Sequence, residues 1–119
     1  MKKVMAAIVG CGAISGVYLK SIQENFTSIE VVACSDLSEE RMRKTAERYQ
    51  VRAMSWQEIL KEPSIEMVLN LTGPSAHYPL SKQAMEHGKH VYSEKMMAVD
   101  YQDGKRLCAL ADQYGVRFG

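Results

Sequence analysis

The chain has 119 residues, a formal net charge of +1 and a sequence pI of about 7.7. This length is typical of one domain that buries about two-thirds of the surface of its unfolded form. The near-neutral charge argues against nucleic acid or an anionic membrane surface as partner, and no run approaches the ~20 apolar residues of a membrane span. The cysteines are three in number and lack metal-type spacing, which indicates a reducing cytoplasm.

The start of the chain carries the most information. The largely apolar run at residues 3–9 predicts a buried strand. It ends in the sequence Gly-Cys-Gly-Ala-Ile-Ser-Gly at residues 10–16, which leads into a helix over residues 14–25. The amino end of a helix offers unpaired N–H groups to phosphate, and Gly12 would let a pyrophosphate approach the backbone. The third glycine of the G-x-G-x-x-G pattern falls at Ser15, which is small. Glycine pairs also occur in ordinary strand-to-helix turns, so the pattern alone predicts a dinucleotide site only weakly.

The next strand strengthens that prediction. Residues 30–35 predict a buried strand that ends at Asp36, an acidic residue about 20 positions beyond the glycine turn, where such a unit binds the adenosine ribose. A carboxylate accepts two hydroxyl donors and repels a 2′-phosphate. The alternative is that Asp36 only caps the helix that begins near Ser38.

The remainder alternates between strand and helix patterns. Strands are predicted at residues 51–54, 67–71, 90–93 and from 116, and helices at residues 38–49, 55–62, 77–87 and 100–114. Ser55 and Glu58 have the spacing of a capping box. This alternation predicts an α/β fold, a Rossmann-type doubly wound parallel sheet with helices on both faces, as a single three-layer domain.

Ligands of such sheets bind at the carboxyl ends of the strands. The strand ends at residues 35–36, 72–74 and 93–95 should therefore share a crevice with the glycine turn. Thr72 and Pro74 would line an extended dinucleotide. His77 would reach it too, or be an ordinary helix-start residue. Lys95 would contact the reacting end, or be a surface lysine paired with Glu94.

Four stretches, residues 9–16, 33–36, 70–77 and 88–95, resemble the N-terminal NAD(P)-binding domain of the glucose–fructose oxidoreductase, inositol dehydrogenase and rhizopine-catabolism (Gfo/Idh/MocA) family. The resemblance extends over essentially the whole chain. It implies that Lys95 is catalytic and contacts the substrate oxygen, with Glu94 also near the nicotinamide. It further implies that the pyrophosphate is cradled by Gly10, Gly12, Ala13 and Ile14. Asp36 would hold the adenosine ribose, and the dinucleotide would be lined by Thr72, Pro74 and His77. No metal site is implied.

Two positions depart from the family pattern. Met96 follows the Glu-Lys pair where proline is usual, and Gly73 occupies another proline position, so the loops lose fixed φ angles. Family members also carry a C-terminal domain with the substrate pocket and the dimer interface. The resemblance therefore implies that residues 1–119 are the dinucleotide-binding domain, truncated in its last strand, of a protein that could be a homo-oligomer.

The leading hypothesis is an NAD(H)-binding domain of a dehydrogenase that transfers hydride to or from a sugar, cyclitol or related polyol, and that is inactive alone. NADP is disfavoured because Asp36 repels its 2′-phosphate and Leu37 supplies no positive charge. A stand-alone nucleotide-binding sensor or regulatory module is the alternative, favoured by Gly73 and Met96. A methyltransferase would leave Glu94 and Lys95 unexplained. A Walker-type loop is excluded because no Gly-Lys-Ser/Thr follows the glycines.

Overall fold

The computed structural model describes residues 4–11, 20, 29–72, 74–93 and 101–117. Their elements, in chain order, are β1 (Val4–Val9), β2 (Ile29–Ser35), α1 (Glu39–Tyr49), β3 (Arg52–Ala53), α2 (Trp56–Lys61), β4 (Met67–Asn70), α3 (Pro74–Glu86), β5 (His90–Ser93) and α4 (Tyr101–Tyr114).

The five strands form one parallel sheet in the order β3-β2-β1-β4-β5. Strand β1 lies at its centre, where Ala6, Ala7 and Ile8 are fully buried. The chain first extends the sheet on the β2 side and then crosses to the β4 side. The direction of winding therefore reverses next to β1, and such a switch point opens a crevice at the carboxyl ends of the flanking strands.

Helices cover both faces of this sheet, as the alternating pattern predicts. Val9 of β1 packs on the face covered by α2, α3 and α4, which contribute Ile59, Met85 and Leu107 to the same buried cluster. Ile8 points to the opposite face, where Val31, Leu69 and Leu71 form a second cluster with Tyr49 of α1 packed against it. Burial on both faces explains why the strands are nearly continuous apolar runs. The predicted three-layer α/β fold is confirmed.

The helix starts follow local side-chain chemistry. Ser38 precedes α1, and its hydroxyl accepts a hydrogen bond from the Arg41 N–H at 3.3 Å. The capping box predicted at Ser55 is confirmed: the Ser55 hydroxyl accepts from the Glu58 N–H at 3.2 Å, and the Glu58 carboxylate accepts from the Ser55 N–H at 2.9 Å. These hydrogen bonds hold the pKa of Glu58 below its usual range.

One predicted helix start is wrong. Helix α3 begins at Pro74, so His77 lies in its first turn and not at its start; proline fits a first turn because it lacks only an N–H that has no partner there. The strand predicted from Val116 extends outside the described residues; residues 116 and 117 themselves are not assigned to a strand, and the Arg117 carbonyl accepts a hydrogen bond from the Val91 N–H at 2.8 Å. Of the helix predicted at residues 14–25, only Lys20 is described, and it is helical.

Lys89 connects two segments of the chain through hydrogen bonds that the strand pattern does not reveal. Its side chain is buried, with 4% of the residue exposed. The ammonium group donates to the Glu62 carbonyl at 2.9 Å and to the Ile65 carbonyl at 2.7 Å. Burial lowers the pKa of Lys89, and the charge of Glu62 partly opposes that shift. Lys89 thus fastens the chain before β5 to the turn that follows α2.

Lys89→Met keeps the apolar stem of the side chain and removes both hydrogen bonds, so we expect the free energy of unfolding to fall by about 1–2 kcal/mol. Urea denaturation measures the change. Lys61→Met is the matched control, because Lys61 is exposed and surface substitutions usually change stability by less than ~0.5 kcal/mol. Equal stabilities of the two variants would show that the Lys89 contacts contribute nothing.

Candidate functional site

A cleft of about 560 Å³ lies at the carboxyl ends of β1, β2 and β4. The strand ends contribute Gly10, Asp36 and Thr72 to its wall, and the flanking helices contribute Arg41 and Trp56. Its position is the switch point of the sheet, where ligands of doubly wound folds bind. Its volume is in the range of small-molecule and cofactor sites.

Gly10, directly after β1, adopts a conformation that a side chain would obstruct. Its φ is +97°, in the left-handed region that glycine adopts readily. A Cβ atom at this position would lie 2.8 Å from both the carbonyl carbon and the carbonyl oxygen of Leu71. The Gly10 N–H donates to the Ser35 carbonyl at 2.8 Å. The turn after β1 is therefore packed closely between the ends of β2 and β4.

Asp36 joins the glycine turn to the start of α1. One carboxylate oxygen, Oδ2, accepts a hydrogen bond from the Cys11 N–H at 2.6 Å. The other, Oδ1, accepts from the Ser38 N–H at 2.7 Å. Ser38, and not Asp36, caps α1, so Asp36 orders the capping residue. Each carboxylate oxygen has about two lone-pair sites, so Asp36 can still accept hydroxyl donors from a ligand in the cleft.

Thr72 is held at the cleft by Asn70, which the sequence analysis missed. Asn70 is fully buried, and its Oδ1 accepts hydrogen bonds from the Thr72 N–H at 3.2 Å and from the Thr72 hydroxyl at 2.6 Å. Its amide nitrogen donates to the Ser81 hydroxyl of α3 at 2.8 Å. With its proton directed to Asn70, the Thr72 hydroxyl presents acceptor lone pairs to a ligand. A polar residue closing an apolar strand was the signal available in the sequence.

The remaining residues of the sequence analysis divide into two groups. Pro74 and His77 lie in the first turn of α3, next to Ala76, which lines the cleft. A larger set lies outside the described residues: Gly12, Ala13, Ile14, Glu94 and Lys95. The structure therefore brings together Gly10, Asp36 and Thr72, as predicted.

The wall of the cleft that the helices form contains a fluorescent side chain, Trp56. Trp56 is the single tryptophan of the chain. It lines the cleft at the start of α2, and its indole N–H donates to Gln83 of α3 at 2.6 Å. We therefore expect the fluorescence emission of Trp56 to change when a ligand binds in the cleft.

Within the described ranges, no cluster of three or more His, Cys, Asp or Glu residues has an arrangement suited to a metal ion. None of the helices in this part of the chain combines the length and the apolar character that a membrane span requires.

Comparison with known proteins gives a family match over residues 4–119, to the model described as the oxidoreductase family, NAD-binding Rossmann fold. The chain is similar to inositol 2-dehydrogenase of Salmonella typhimurium, with 26% identity over 115 residues. This alignment covers 94% of the chain and 34% of the relative. The chain thus spans about a third of the length of the curated relatives it matches.

Solved structures show the same fold. The WlbA dehydrogenase from Bordetella pertussis, in complex with NADH and UDP-GlcNAcA, matches with a TM-score of 0.89 and 28% identity over 98% of this chain and 34% of its own. Biliverdin reductase from Synechocystis sp. PCC 6803, in complex with biliverdin and NADP+, matches with a TM-score of 0.86 and 30% identity over 97% of this chain and 36% of its own. The first of these two structures thus contains NADH and the second contains NADP+.

The packing around Gly10 yields a direct test. In Gly10→Ala the new Cβ would meet the Leu71 backbone, whereas in Gly88→Ala, also at positive φ (+76°), it would have no atom within 4 Å. Both variants incur backbone strain, and only the first also incurs a clash. We expect Gly10→Ala to lose at least ~1 kcal/mol more unfolding free energy than Gly88→Ala. Chemical denaturation of the two variants in parallel provides the comparison, and an equal loss would contradict the packing described.

Proposed function

The chain belongs to the Gfo/Idh/MocA oxidoreductase family, and we propose that it binds NAD(H) as the dinucleotide-binding domain of a dehydrogenase. The observation that carries the proposal is the Asp36 carboxylate, fixed at the end of β2 by the Cys11 and Ser38 N–H groups and lining the switch-point cleft. A carboxylate at this place in a Rossmann unit accepts the ribose hydroxyls.

The contact between Asp36 and the ribose determines where the other parts of the dinucleotide lie. The adenosine ribose lies on Asp36, and the pyrophosphate lies over the turn after Gly10, with Gly12, Ala13 and Ile14 as its cradle. Gly10 fits this role because its backbone already packs against both neighbouring strand ends. The rest of the dinucleotide extends from the pyrophosphate along the β4 side of the cleft. There Thr72 supplies acceptor lone pairs, and Pro74 and His77 complete the lining.

Selectivity for NAD over NADP follows from how Asp36 is held. A 2′-phosphate would require the carboxylate to turn away, and turning would break the 2.6 Å and 2.7 Å hydrogen bonds to the Cys11 and Ser38 N–H groups. Hydrogen bonds to a charged group each contribute about 1.5–3 kcal/mol. Leu37 beside it is exposed and uncharged, so it offers nothing to a phosphate. Arg41 is the cation on this side of the cleft that an NADP-binding variant would use.

The reaction of the whole protein is proposed from the family and the relatives. The nicotinamide, when bound, exchanges hydride with the hydroxyl-bearing carbon of a sugar, cyclitol or related polyol. Lys95 would polarise the substrate oxygen, and Glu94 would lie beside it. The similarity to inositol 2-dehydrogenase and to WlbA supports this substrate class. A cytoplasmic location and a homo-oligomeric parent are part of the same proposal, the former supported by the odd number of cysteines, three, and by their lack of metal-type spacing.

The alternative is a nucleotide-binding sensor or regulatory module without catalysis. It is favoured by Gly73 and Met96, which stand where the family usually has proline and so leave the active-site loops less constrained. Both functions use the same NAD(H) site, so only turnover of the whole protein and its loss in Lys95→Ala separate them.

Cofactor selectivity can be measured by following Trp56 emission during titration with NADH and with NADPH. We expect NADPH to bind at least tenfold more weakly, and Asp36→Ala to weaken NADH binding by about 10–100-fold, because hydrogen bonds to a charged group are lost. Glu39→Ala is the control: it removes the same charge from an exposed side chain paired with Arg43, and it should leave the affinity unchanged. Equal or tighter binding of NADPH would contradict the proposal and direct attention to Arg41.

The 119-residue chain alone should not dehydrogenate substrates. Holding the substrate in near-attack geometry contributes about 7–11 kcal/mol to such a reaction, and the substrate pocket is assigned by family resemblance to a second domain. NADH formation from a panel of polyols, inositols and sugar acids at high protein concentration provides the test. Turnover that disappears in Lys95→Ala would overturn this expectation.

A further inference from the structure

A buried amide lies behind the wall of the cleft on the β4 side. Asn70 is the last residue of β4 and is fully buried. Its Oδ1 accepts the Thr72 N–H at 3.2 Å and the Thr72 hydroxyl at 2.6 Å. Its amide nitrogen donates to the hydroxyl of Ser81, a fully buried residue of α3, at 2.8 Å. The amide thus connects α3 to Thr72, which lines the cleft.

The backbone fixes the direction of these hydrogen bonds. The Thr72 N–H can only donate, so the amide atom that faces it must be the oxygen. An amide oxygen only accepts, so the Thr72 hydroxyl must give its proton to the same oxygen. Only acceptor lone pairs of that hydroxyl remain for a ligand. An unrestrained threonine hydroxyl rotates and can donate or accept, whereas Thr72 is restricted to accepting.

This restriction distinguishes the parts of a dinucleotide. Pyrophosphate oxygens are acceptors and would meet lone pairs at Thr72, whereas ribose hydroxyls are donors and would form hydrogen bonds. Asp36 follows β2, Gly10 follows β1 and Thr72 comes shortly after β4, and these three strands are consecutive in the sheet. Neighbouring strands are about 4.8 Å apart. A ligand with its first ribose on Asp36 and its pyrophosphate over Gly10 therefore reaches Thr72 with its second ribose.

We propose that Asn70 is a positioning residue, which holds the Thr72 hydroxyl as an acceptor for a hydroxyl group of the second ribose, the one that carries the nicotinamide. The inference rests on the proposed function, because it places the dinucleotide across the cleft from Asp36. It adds a specificity for the group that follows the pyrophosphate. A sugar with a free hydroxyl is favoured there, and an anionic group in the same place is disfavoured.

Calorimetric titration of the 119-residue chain with ADP, ADP-ribose and NAD+ separates the parts of the ligand. ADP ends at the pyrophosphate, ADP-ribose adds the second ribose, and NAD+ adds the nicotinamide. Thr72→Val keeps the shape of the side chain and removes the hydroxyl. It should weaken the binding of ADP-ribose and NAD+ about threefold to tenfold, the effect of one neutral hydrogen bond, and leave ADP binding unchanged. Thr72→Ser keeps the hydroxyl and should bind all three ligands as the wild type does.

Three results of these titrations would overturn the proposal. Equal weakening of all three ligands by Thr72→Val would place the contact in the adenosine half. Weakening of NAD+ alone would place it on the nicotinamide, and no weakening would remove the contact altogether. If the wild-type chain binds none of the three ligands, the proposed function fails together with this inference. If the wild type binds all three and only the variants depart from expectation, the inference alone fails.

A double-mutant cycle tests whether Asn70 acts through Thr72. Asn70→Leu has a similar volume and cannot accept the hydroxyl proton, so it should lower the ratio of ADP-ribose affinity to ADP affinity. In the Thr72→Val background it should lower this ratio no further, because the hydroxyl that Asn70 positions is absent. Additive losses, or equal losses for both ligands, would indicate a merely structural role and overturn the proposal.

Asn70→Asp is the conservative variant. It retains a carboxylate oxygen for both Thr72 donors, so its ratio of ADP-ribose affinity to ADP affinity should equal that of the wild type, even if its charge weakens both ligands. A lowered ratio in Asn70→Asp would overturn the proposal. This variant also decides the role of Asn70 if Asn70→Leu does not fold.

Discussion

The arrangement of the cleft depends on one side chain, the Asp36 carboxylate. Two backbone groups that are 27 residues apart in the chain converge on it, the Cys11 N–H and the Ser38 N–H. Both donors are groups that a turn or a helix start leaves without a partner in regular secondary structure. Asp36 supplies that partner and retains lone pairs for a ligand, so the contacts that order the cleft and the contact proposed for the ribose use the same carboxylate.

The ends of the neighbouring strands also shape the cleft that this carboxylate lines. Gly10 packs against the Leu71 backbone and donates to Ser35, which sets the distance between the ends of β1, β2 and β4. Asn70 fastens Thr72 on the β4 side.

The fold and the position of the cleft could be predicted from the sequence because both follow from local patterns. Strand and helix periodicity determined the layers, and the spacing of Gly10 and Asp36 located the switch point. The partners of Asp36, the role of Asn70 and the buried ammonium group of Lys89 could not be predicted, because each depends on side-chain contacts that the sequence pattern does not show. The start of α3 was misplaced because proline at position 74 is compatible with a loop as well as with a first helical turn.

An NMR titration of the isotope-labelled 119-residue chain with NAD+ tests the central claim most directly, because it reports on each backbone amide. If Asp36 organises the glycine turn and binds the ribose, the amide signals of Cys11, Ser38 and Thr72 will shift together as NAD+ is added. Those of Met5 and Glu66, at the opposite end of the sheet, will stay in place. In Asp36→Ala the shifts will require far more NAD+. Shifts centred on the opposite end of the sheet, or unchanged by the loss of Asp36, would contradict the account.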